Sequence, residues 1–575
     1  MNAKNEKDAK RKMFVAAGCL ILTWSVVARA QAPKAEKDPM RADPADIQAW
    51  RGLKFGLFVH WGPVSLKGTE IGWSRGGERR GRRGKGAIPA EVYDNLYKKF
   101  NPVKFNATQW VEIAKAAGMK YVVFTSKHHD GFSMFDSKLT DYKITNSPFK
   151  RDVVAELAKA CHAGGLKLGF YYSPPDWYHP DYRTANHARY IEFLHGQLRE
   201  LCTNYGKVDI IWFDGLGGRA SDWNSVPLFK MIRKLQPNVI VNNRAGLPGD
   251  HDTPEQRIGK MQTERPWETC MTICRQWAWK PKDSMKSLKQ CLQTLIRVVG
   301  GDGNLLFNVG PMPTGEIEPR QVARLKEMGG WLNKYGQSIY GTRGGPFRTG
   351  QWGASTHKGN KVYVHILHWS GDTVTLPAIG KKIVGSSVLT GGKATVKQTD
   401  QAVEISVPKA DRREIDTIVV LELDGPAAEA RPGKLASGSV AAGKKATASN
   451  VYLKQAEFGP DKAFDDDGET RWATDTGTSE AWLEVDLGKD TTIDRAVISE
   501  AYAGRVQQFE LQYKHGGQCR SFAKGTTIGE RRTLKFAPVT ARVVRLNILK
   551  ATDGPTIWEM QLLSPKKATG SPPTK

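Results

Sequence analysis

Absences narrow this sequence first. Beyond Met13–Ala28 no stretch of 18 uncharged apolar residues occurs, which excludes a membrane-spanning helix from residue 31 onward. Cysteine is scarce, seven in 575 residues, with no dense framework, so a small disulfide-held scaffold is excluded. Cys270 and Cys274, spaced C-x3-C, have no second Cys/His pair nearby. They read as small buried residues with room for one disulfide rather than as a metal site. No G-x-G-x-x-G follows the first strand-like run, which counts against a dinucleotide-binding sheet. H-E-x-x-H and G-x-S-x-G are also missing, which weighs against a zinc hydrolase and a serine hydrolase. Acidic residues are in deficit, 59 against 85 Lys/Arg, for a formal charge of +26. Residues 1–30 hold six Lys/Arg and two Asp/Glu, so the remainder carries +22. That balance favours acidic partners: sulfated or carboxylated glycans, a negative cell surface, or nucleic acid. No nucleic-acid motif accompanies it. The densest basic run is Arg75, Arg79, Arg80, Arg82, Arg83 and Lys85, interleaved with glycines; it serves equally as a solvated loop or a binding loop.

What is present begins with a leader. Lys4, Lys7, Lys10, Arg11 and Lys12 precede the apolar stretch Met13–Ala28, and Ala28-Arg29-Ala30 has the small-x-small form of a cleavage site. Residues 1–30 are expected to be a signal peptide, and the protein to be periplasmic or secreted. Residues 31–40 are a polar linker. Over 41–345, apolar strand-like runs alternate with amphipathic helical runs. The runs are 55–60, 121–125, 166–172, 208–214, 238–242 and 304–309. Helical spacing over 110–117, 153–161 and 190–201 ends at Gly118, Gly164 and Gly206. Such alternation means a parallel sheet, most simply a (β/α) barrel, with an open doubly wound sheet as runner-up. Residues 346–425 switch to β runs with turns, a small β-sandwich. Residues 426–435 form a linker, 436–565 a second all-β unit, and 566–575 a polar tail expected to be disordered.

The run Val208–Gly215 carries five large apolar residues in eight, as in a strand buried on both faces. It ends on a carboxylate, Asp214, on the same face as Trp212 and Ile210. A buried charge costs several kcal/mol unless paired or used, and barrel active sites lie at strand C-termini. A structural carboxylate capping the next loop is the alternative. The other runs end likewise: His60-Trp61, Lys127-His128-His129-Asp130, Tyr171-Tyr172-Ser173 and Asn242-Asn243-Arg244. Thr253-Pro254-Glu255 and Trp267-Glu268 follow. On one barrel rim these would form a sugar pocket, with acids for bond cleavage, planar rings for stacking, and imidazole and guanidinium for hydroxyls. Adjacent His128 and His129 on extended chain point to opposite faces, so hydroxyl binding is preferred to a metal site.

Four motifs in order, Phe55–Gly62, Ser126–Phe132, Trp212–Gly215 and Gly303–Pro311, resemble the α-L-fucosidases of glycoside hydrolase family 29 over about 45–345. The resemblance implies a retaining, two-step exo-hydrolysis of terminal α-L-fucosyl residues, without a catalytic cofactor. Asp214 would be the nucleophile, and the pocket would hold His60, His128, His129, Tyr171, Trp212 and Arg244, with Trp277 packed on the sugar methyl group. The acid/base varies in position within the family. Glu255, in a T-x-E stretch 41 residues after Asp214, is preferred to Glu268, with Glu264 third; its pKa should be raised by burial and by the Asp214 charge. Where many members have Glu-Trp-Tyr, this chain has Glu70-Ile71-Gly72-Trp73, so Glu70 and Trp73 are looser matches. A related α-L-glycosidase such as an α-L-galactosidase, or a non-catalytic glycan-binding protein, are the alternatives. Residues 463–472 and Ile557-Trp558-Glu559 resemble a discoidin-type (coagulation factor 5/8 C-terminal) carbohydrate-binding module. There a structural Ca²⁺ would use Asp466, Asp467, Thr470 and Glu559; solvated turn acids are the alternative. The implied partner is a fucosylated glycan, possible sulfation included, with no nucleic acid and no membrane span; oligomeric state is left open.

Overall fold

The computed structural model describes residues 38, 40–77, 86–433, 437–468 and 470–565. The leader, most of the 31–40 linker, residues 434–436 at the end of the second linker, Glu469 and the tail lie outside the described residues. So do Arg79, Arg80, Arg82, Arg83 and Lys85.

Seven parallel strands make the central sheet: β1 (Phe55–Val59), β2 (Tyr121–Lys127), β3 (Lys167–Tyr172), β4 (Ile210–Phe213), β5 (Ile240–Val241), β6 (Glu268–Thr272) and β7 (Asn304–Val309). Their order is β5-β4-β3-β2-β1-β7-β6. The two ends are joined through segment 251–255, where Asn242 pairs with His251, Asp252 with Trp267 and Glu255 with Cys270, all parallel. The expected (β/α) barrel is therefore a seven-stranded sheet curled along an irregular seam. Pro254 sits in that seam and has no N–H to give a regular ladder. Strand β6 was not anticipated, because Glu268-Thr-Cys-Met-Thr offers neither an apolar run nor alternation. Helices Ala107–Ala116, Val153–Gly164, His187–Thr203, Ser225–Leu235, Leu288–Gly300 and Pro319–Tyr335 connect and cover the strands. Asn106, Asp152 and Ser287 cap three of them by accepting a backbone N–H.

Alternation along β4 divides two cores. Ile211 and Phe213 pack outward among helix residues such as Leu198, Leu228 and Ile232. Ile210 and Trp212 point into the barrel, where they meet Phe58, Tyr121, Val123, Tyr171, Ile240, Cys270 and Leu306. Helix Pro44–Leu53 adds Ile47 and Trp50 to this interior cluster and so plugs the N-terminal end. Below it Asp302, fully buried, is ringed by Arg51, Lys54 and Arg343 at 2.5, 3.5 and 2.7 Å.

Sheets of five and three strands follow, over 343–423, around a core of Phe347, Val364, Leu376, Val403 and Val419. A further antiparallel sheet over 445–563 surrounds Phe464, Trp472, Leu483, Phe509 and Leu546. Its strands Ala481–Glu500 and Arg532–Ala551 change register at Asp486/Thr491 and Ile493/Arg495. The room left for a disulfide is not taken: Cys161, Cys202, Cys270, Cys274, Cys291 and Cys519 are free thiols. Cys270 faces the barrel interior and Cys274 the outer core, so the sheet itself separates them. Among the described residues no helix is long and apolar enough to cross a membrane.

Candidate active site

A cavity of about 470 Å³ opens at the C-terminal ends of the strands. Its floor is Phe58, Tyr171 and Trp212; its walls are His60, His128, Asp214, Arg244, Glu255, Trp73 and Trp277. Asp214 follows β4 directly and is 15% exposed. Its Oδ2 accepts the Tyr171 hydroxyl at 3.0 Å and lies 3.4 Å from His129 Nε2. Its Oδ1 lies 3.3 Å from Arg244 Nη1. Burial pushes this carboxyl up, but His129, Arg244 and the Tyr171 hydroxyl together hold it well below the usual carboxylate range. It is an ionised carboxylate at the cavity wall.

Arg244 Nη1 also donates to Glu255 Oε2 at 2.8 Å. One nitrogen thus touches both acids and keeps their nearest oxygens within about 6 Å, close to the ~5–5.5 Å of two-step glycosidases. Thr253 fixes the guanidinium: its hydroxyl accepts Nε at 2.7 Å and its carbonyl accepts Nη2 at 2.8 Å. The guanidinium lies 4.8 Å over the Trp212 ring, a cation–π seat.

The imidazoles are set by their partners. Asn308 Nδ2 donates to the Trp277 carbonyl at 2.7 Å, so its Oδ1 can only accept from His60 Nδ1, at 2.7 Å. His60 therefore carries its proton on Nδ1 and offers Nε2 as an acceptor. Burial lowers its pKa to about 4, so it is neutral near pH 7. His128 stacks on Tyr171 at 5.4 Å, and its Nδ1 is buried without a protein partner. Burial and the neighbouring His129, His60 and Lys127 keep it uncharged. Gly72, at φ +65°, lets its loop approach: a Cβ there would stand 2.6 Å from His128 Nδ1.

This arrangement pairs an ionised carboxylate and a second acid across an aromatic-floored cavity, and it fits the results of comparison. Residues 22–337 match the family model described as Alpha-L-fucosidase, and residues 445–560 match the F5/8 type C domain. The chain belongs to the α-L-fucosidase family. It is a glycoside hydrolase. It is 31% identical to plasma α-L-fucosidase of Homo sapiens over 388 residues, 60% of this chain and 81% of that protein. It is similar to α-L-fucosidase isoenzyme 1 from Paenibacillus thiaminolyticus, with TM-score 0.61 and 36% identity over 66% of this chain and 99% of the other. It is also similar to a family 29 α-L-fucosidase from Bacteroides thetaiotaomicron, trapped as a covalent intermediate with 2-fluoro-fucosyl fluoride by means of a glutamate-to-glutamine mutant. There the TM-score is 0.59, with 28% identity over 67% of this chain and 97% of that one.

Within this fucosidase-family fold, Asp214, Glu255, His60, Trp73, His128, Tyr171, Trp212, Arg244 and Trp277 all line the cavity. His129 stands behind Asp214, with Nδ1 on Ser173 Oγ at 2.5 Å, so it contacts the carboxylate rather than the cavity. Glu70 lies behind Trp277: its carboxylate accepts the backbone N–H of Trp277 and Ala278 at 3.0 Å each, and it does not line the cavity. Glu268 begins β6, deep in the barrel and 1% exposed, and does not line the cavity. Glu264 is exposed and away from the cavity. Glu255 is not buried as expected; its side chain is 42% exposed and paired with Arg244. The sequence places Ser173 and Thr253 at the rim without a role, and singles out neither Phe58 nor Asn308. Alternation from His60 gives Phe58; the others act through contacts that no local pattern encodes. Arg75 leaves the basic run for a buried pair with Asp94 at 2.6 Å.

In the C-terminal sheet, Asp466 N–H donates to Glu559 Oε1 at 3.4 Å, while Asp466 Oδ1 and Glu559 Oε2 are buried without protein partners. Burial and the charges of Asp466, Asp465 and Asp467 push Glu559 up to about 8. Asp467 instead meets Arg348 at 3.3 Å, and the Thr470 hydroxyl meets both oxygens of Asp465 at 2.8 Å. Among the described residues no cluster of three or more His, Cys, Asp or Glu forms a ready cage.

Proposed function

We propose that the protein is an exported exo-α-L-fucosidase that releases terminal fucosyl residues by double displacement. Asp214 attacks the anomeric carbon while Glu255 gives its proton to the departing glycosidic oxygen. Glu255 then takes a proton from water, which attacks the same carbon and frees Asp214. The observation that carries this reading is the single Arg244 nitrogen between the two carboxylates. His60 Nε2 and the cavity-lining edge of the His128 ring supply polar contacts for ring hydroxyls. Trp277 and Phe58, 6.0 Å apart, offer an apolar corner for the methyl group. An α-L-galactoside would bury a hydroxyl there, at about 1–3 kcal/mol unless it finds a partner, so fucoside should be favoured by roughly 10–100-fold in kcat/KM. A non-catalytic glycan binder would have no use for an acid held ionised beside a second one.

The decisive experiment compares Glu255→Ala and Glu268→Ala on an activated aryl α-L-fucoside with azide. Rescue of the first as fucosyl azide supports the assignment; rescue of the second transfers the role, and rescue of neither removes both. Export is supported by the basic, apolar and small-residue order of positions 1–30, and N-terminal sequencing of the product should begin after Ala30. The remaining basic run, 79–85, is a candidate for sulfated glycans; KM for such a substrate should rise with salt, and an unchanged KM refutes it.

We also propose one Ca²⁺ in the C-terminal sheet, held by Asp466 and Glu559 with backbone carbonyls; Asp467 and Thr470 would have to leave their present partners to join. The two orphaned buried oxygens fit a hard cation, which would relieve the repulsion at Glu559. A chelator should lower Tm reversibly; an unchanged Tm contradicts the site.

A further inference from the structure

Glu268 is a buried acid of the barrel interior that the reaction above does not use. It enters at the first residue of β6, and its carboxyl rises through the interior toward the floor of the cavity. Oε2 accepts the Tyr121 hydroxyl at 2.5 Å, and Oε1 accepts the Trp212 indole N–H at 3.2 Å. Its nearest basic group is His251 Nε2 at 3.8 Å, an imidazole that burial drives down to about 3 and that lies tilted against the Trp50 ring at 4.4 Å. So no cation balances this carboxyl, and burial raises it to about 7. A bare apolar residue would spare the fold that desolvation. What the carboxyl provides is a fixed acceptor under the indole.

The indole carries both sides of the reaction centre. Arg244 rests on its face at 4.8 Å and reaches Asp214 and Glu255. Tyr171 stacks against it at 5.6 Å, nearly parallel at 17°, and donates to Asp214. Without the Nε1 partner, the ring would also leave a buried donor unsatisfied and would turn to find another. Either group it carries would then move relative to the acids.

We propose that Glu268 is a positioning residue which, by accepting the Trp212 indole N–H, sets the ring that aligns Arg244 and Tyr171 with the two acids. This rests on the fucosidase reading of the site. A displacement of about 1 Å in such a site costs on the order of 10²-fold in rate. Glu268 itself touches neither substrate nor leaving group.

The test uses the full chain with Glu268→Met, which keeps the volume but removes the acceptor, and Glu268→Gln, which keeps an acceptor oxygen. Glu268→Met should lower kcat/KM by about 10–100-fold, equally for aryl fucosides with good and poor leaving groups and without azide rescue. Glu268→Gln should recover to within about threefold of the parent. In a Trp212→Phe background, which already lacks the indole N–H, Glu268→Met should change kcat/KM by less than about twofold. Should Glu268→Met fail to fold, Glu268→Ala, which also removes the acceptor, takes its place in both backgrounds with the same expected losses. A fall in Tm with unchanged kcat/KM overturns it in favour of a purely structural acid. A larger loss with poor leaving groups, with azide rescue, overturns it in favour of an acid/base. If the parent turns over no fucoside, the functional reading fails and this inference falls with it; a parent that turns over while Glu268→Met matches it sinks the inference alone.

Discussion

Arg244 is shared by both acids, and its planar fork is used in full. Nε and Nη2 are spent on Thr253, which leaves Nη1 for the carboxylates. Lysine could supply the charge but not the three-way geometry, so Arg244→Lys should lower kcat/KM by about 10²-fold. It should also move the acid limb of the pH profile upward, because Asp214 would lose part of what holds it ionised. A profile unchanged in position would mean that His129 and Tyr171 suffice. Glu268 makes the opposite kind of prediction. Its pKa is near 7 in the fold and ~4.3 in an unfolded chain. The stability that accompanies its protonated form is complete below ~4.3 and is lost as pH rises through 7. The loss is on the order of 3 kcal/mol. Glu268→Gln has no such loss, so its Tm relative to the parent should rise between pH 4.5 and 8; a constant difference would place the carboxyl in a wetter site than the one described.

At the scale of elements, the sequence was most legible where pattern is local. Six of the strands follow from apolar runs, and period two along β4 correctly placed Trp212 with Asp214 and set Phe213 against the helices. The polar strand ends were legible for the same reason, since a rim gathers whatever follows each strand. Legibility failed at the seam. Strand β6 has a polar, small-residue sequence that is strand only because β7 and segment 251–255 flank it. Glu255 and Glu268 were hard to rank because they are 13 residues apart in sequence but at opposite depths of the barrel. The plug at the barrel's N-terminal end was silent as well. There Asp302 joins helix Pro44–Leu53, Lys54 before β1, and Arg343 beyond the last barrel helix. Removing its charge would strand Arg51 and Lys54, both with side chains under 5% exposed. Asp302→Asn should therefore destabilise the fold by about 3–5 kcal/mol, read as a denaturation midpoint; a change below about 1 kcal/mol would show that the cations find water instead.

At the scale of the whole molecule, the catalytic cavity is built entirely from residues 58–277, while the C-terminal sheet has a hydrophobic core of its own. A chain ending at residue 433 should keep kcat/KM on a small aryl fucoside within about twofold and lose affinity only for polymeric glycan. A collapse of small-substrate activity would tie the C-terminal sheet to the barrel's stability. The formal charge of +22 outside residues 1–30 acts at this scale too, since a net positive charge favours encounter with anionic partners. All of this depends on one bond that Asp214 must form. Incubation with a 2-fluoro-fucosyl fluoride, followed by mass mapping of peptides, tests it directly. The account predicts a single fluorofucosyl adduct on the peptide containing Asp214, absent in Asp214→Gly. An adduct on another carboxylate, or inactivation with no adduct, would contradict it.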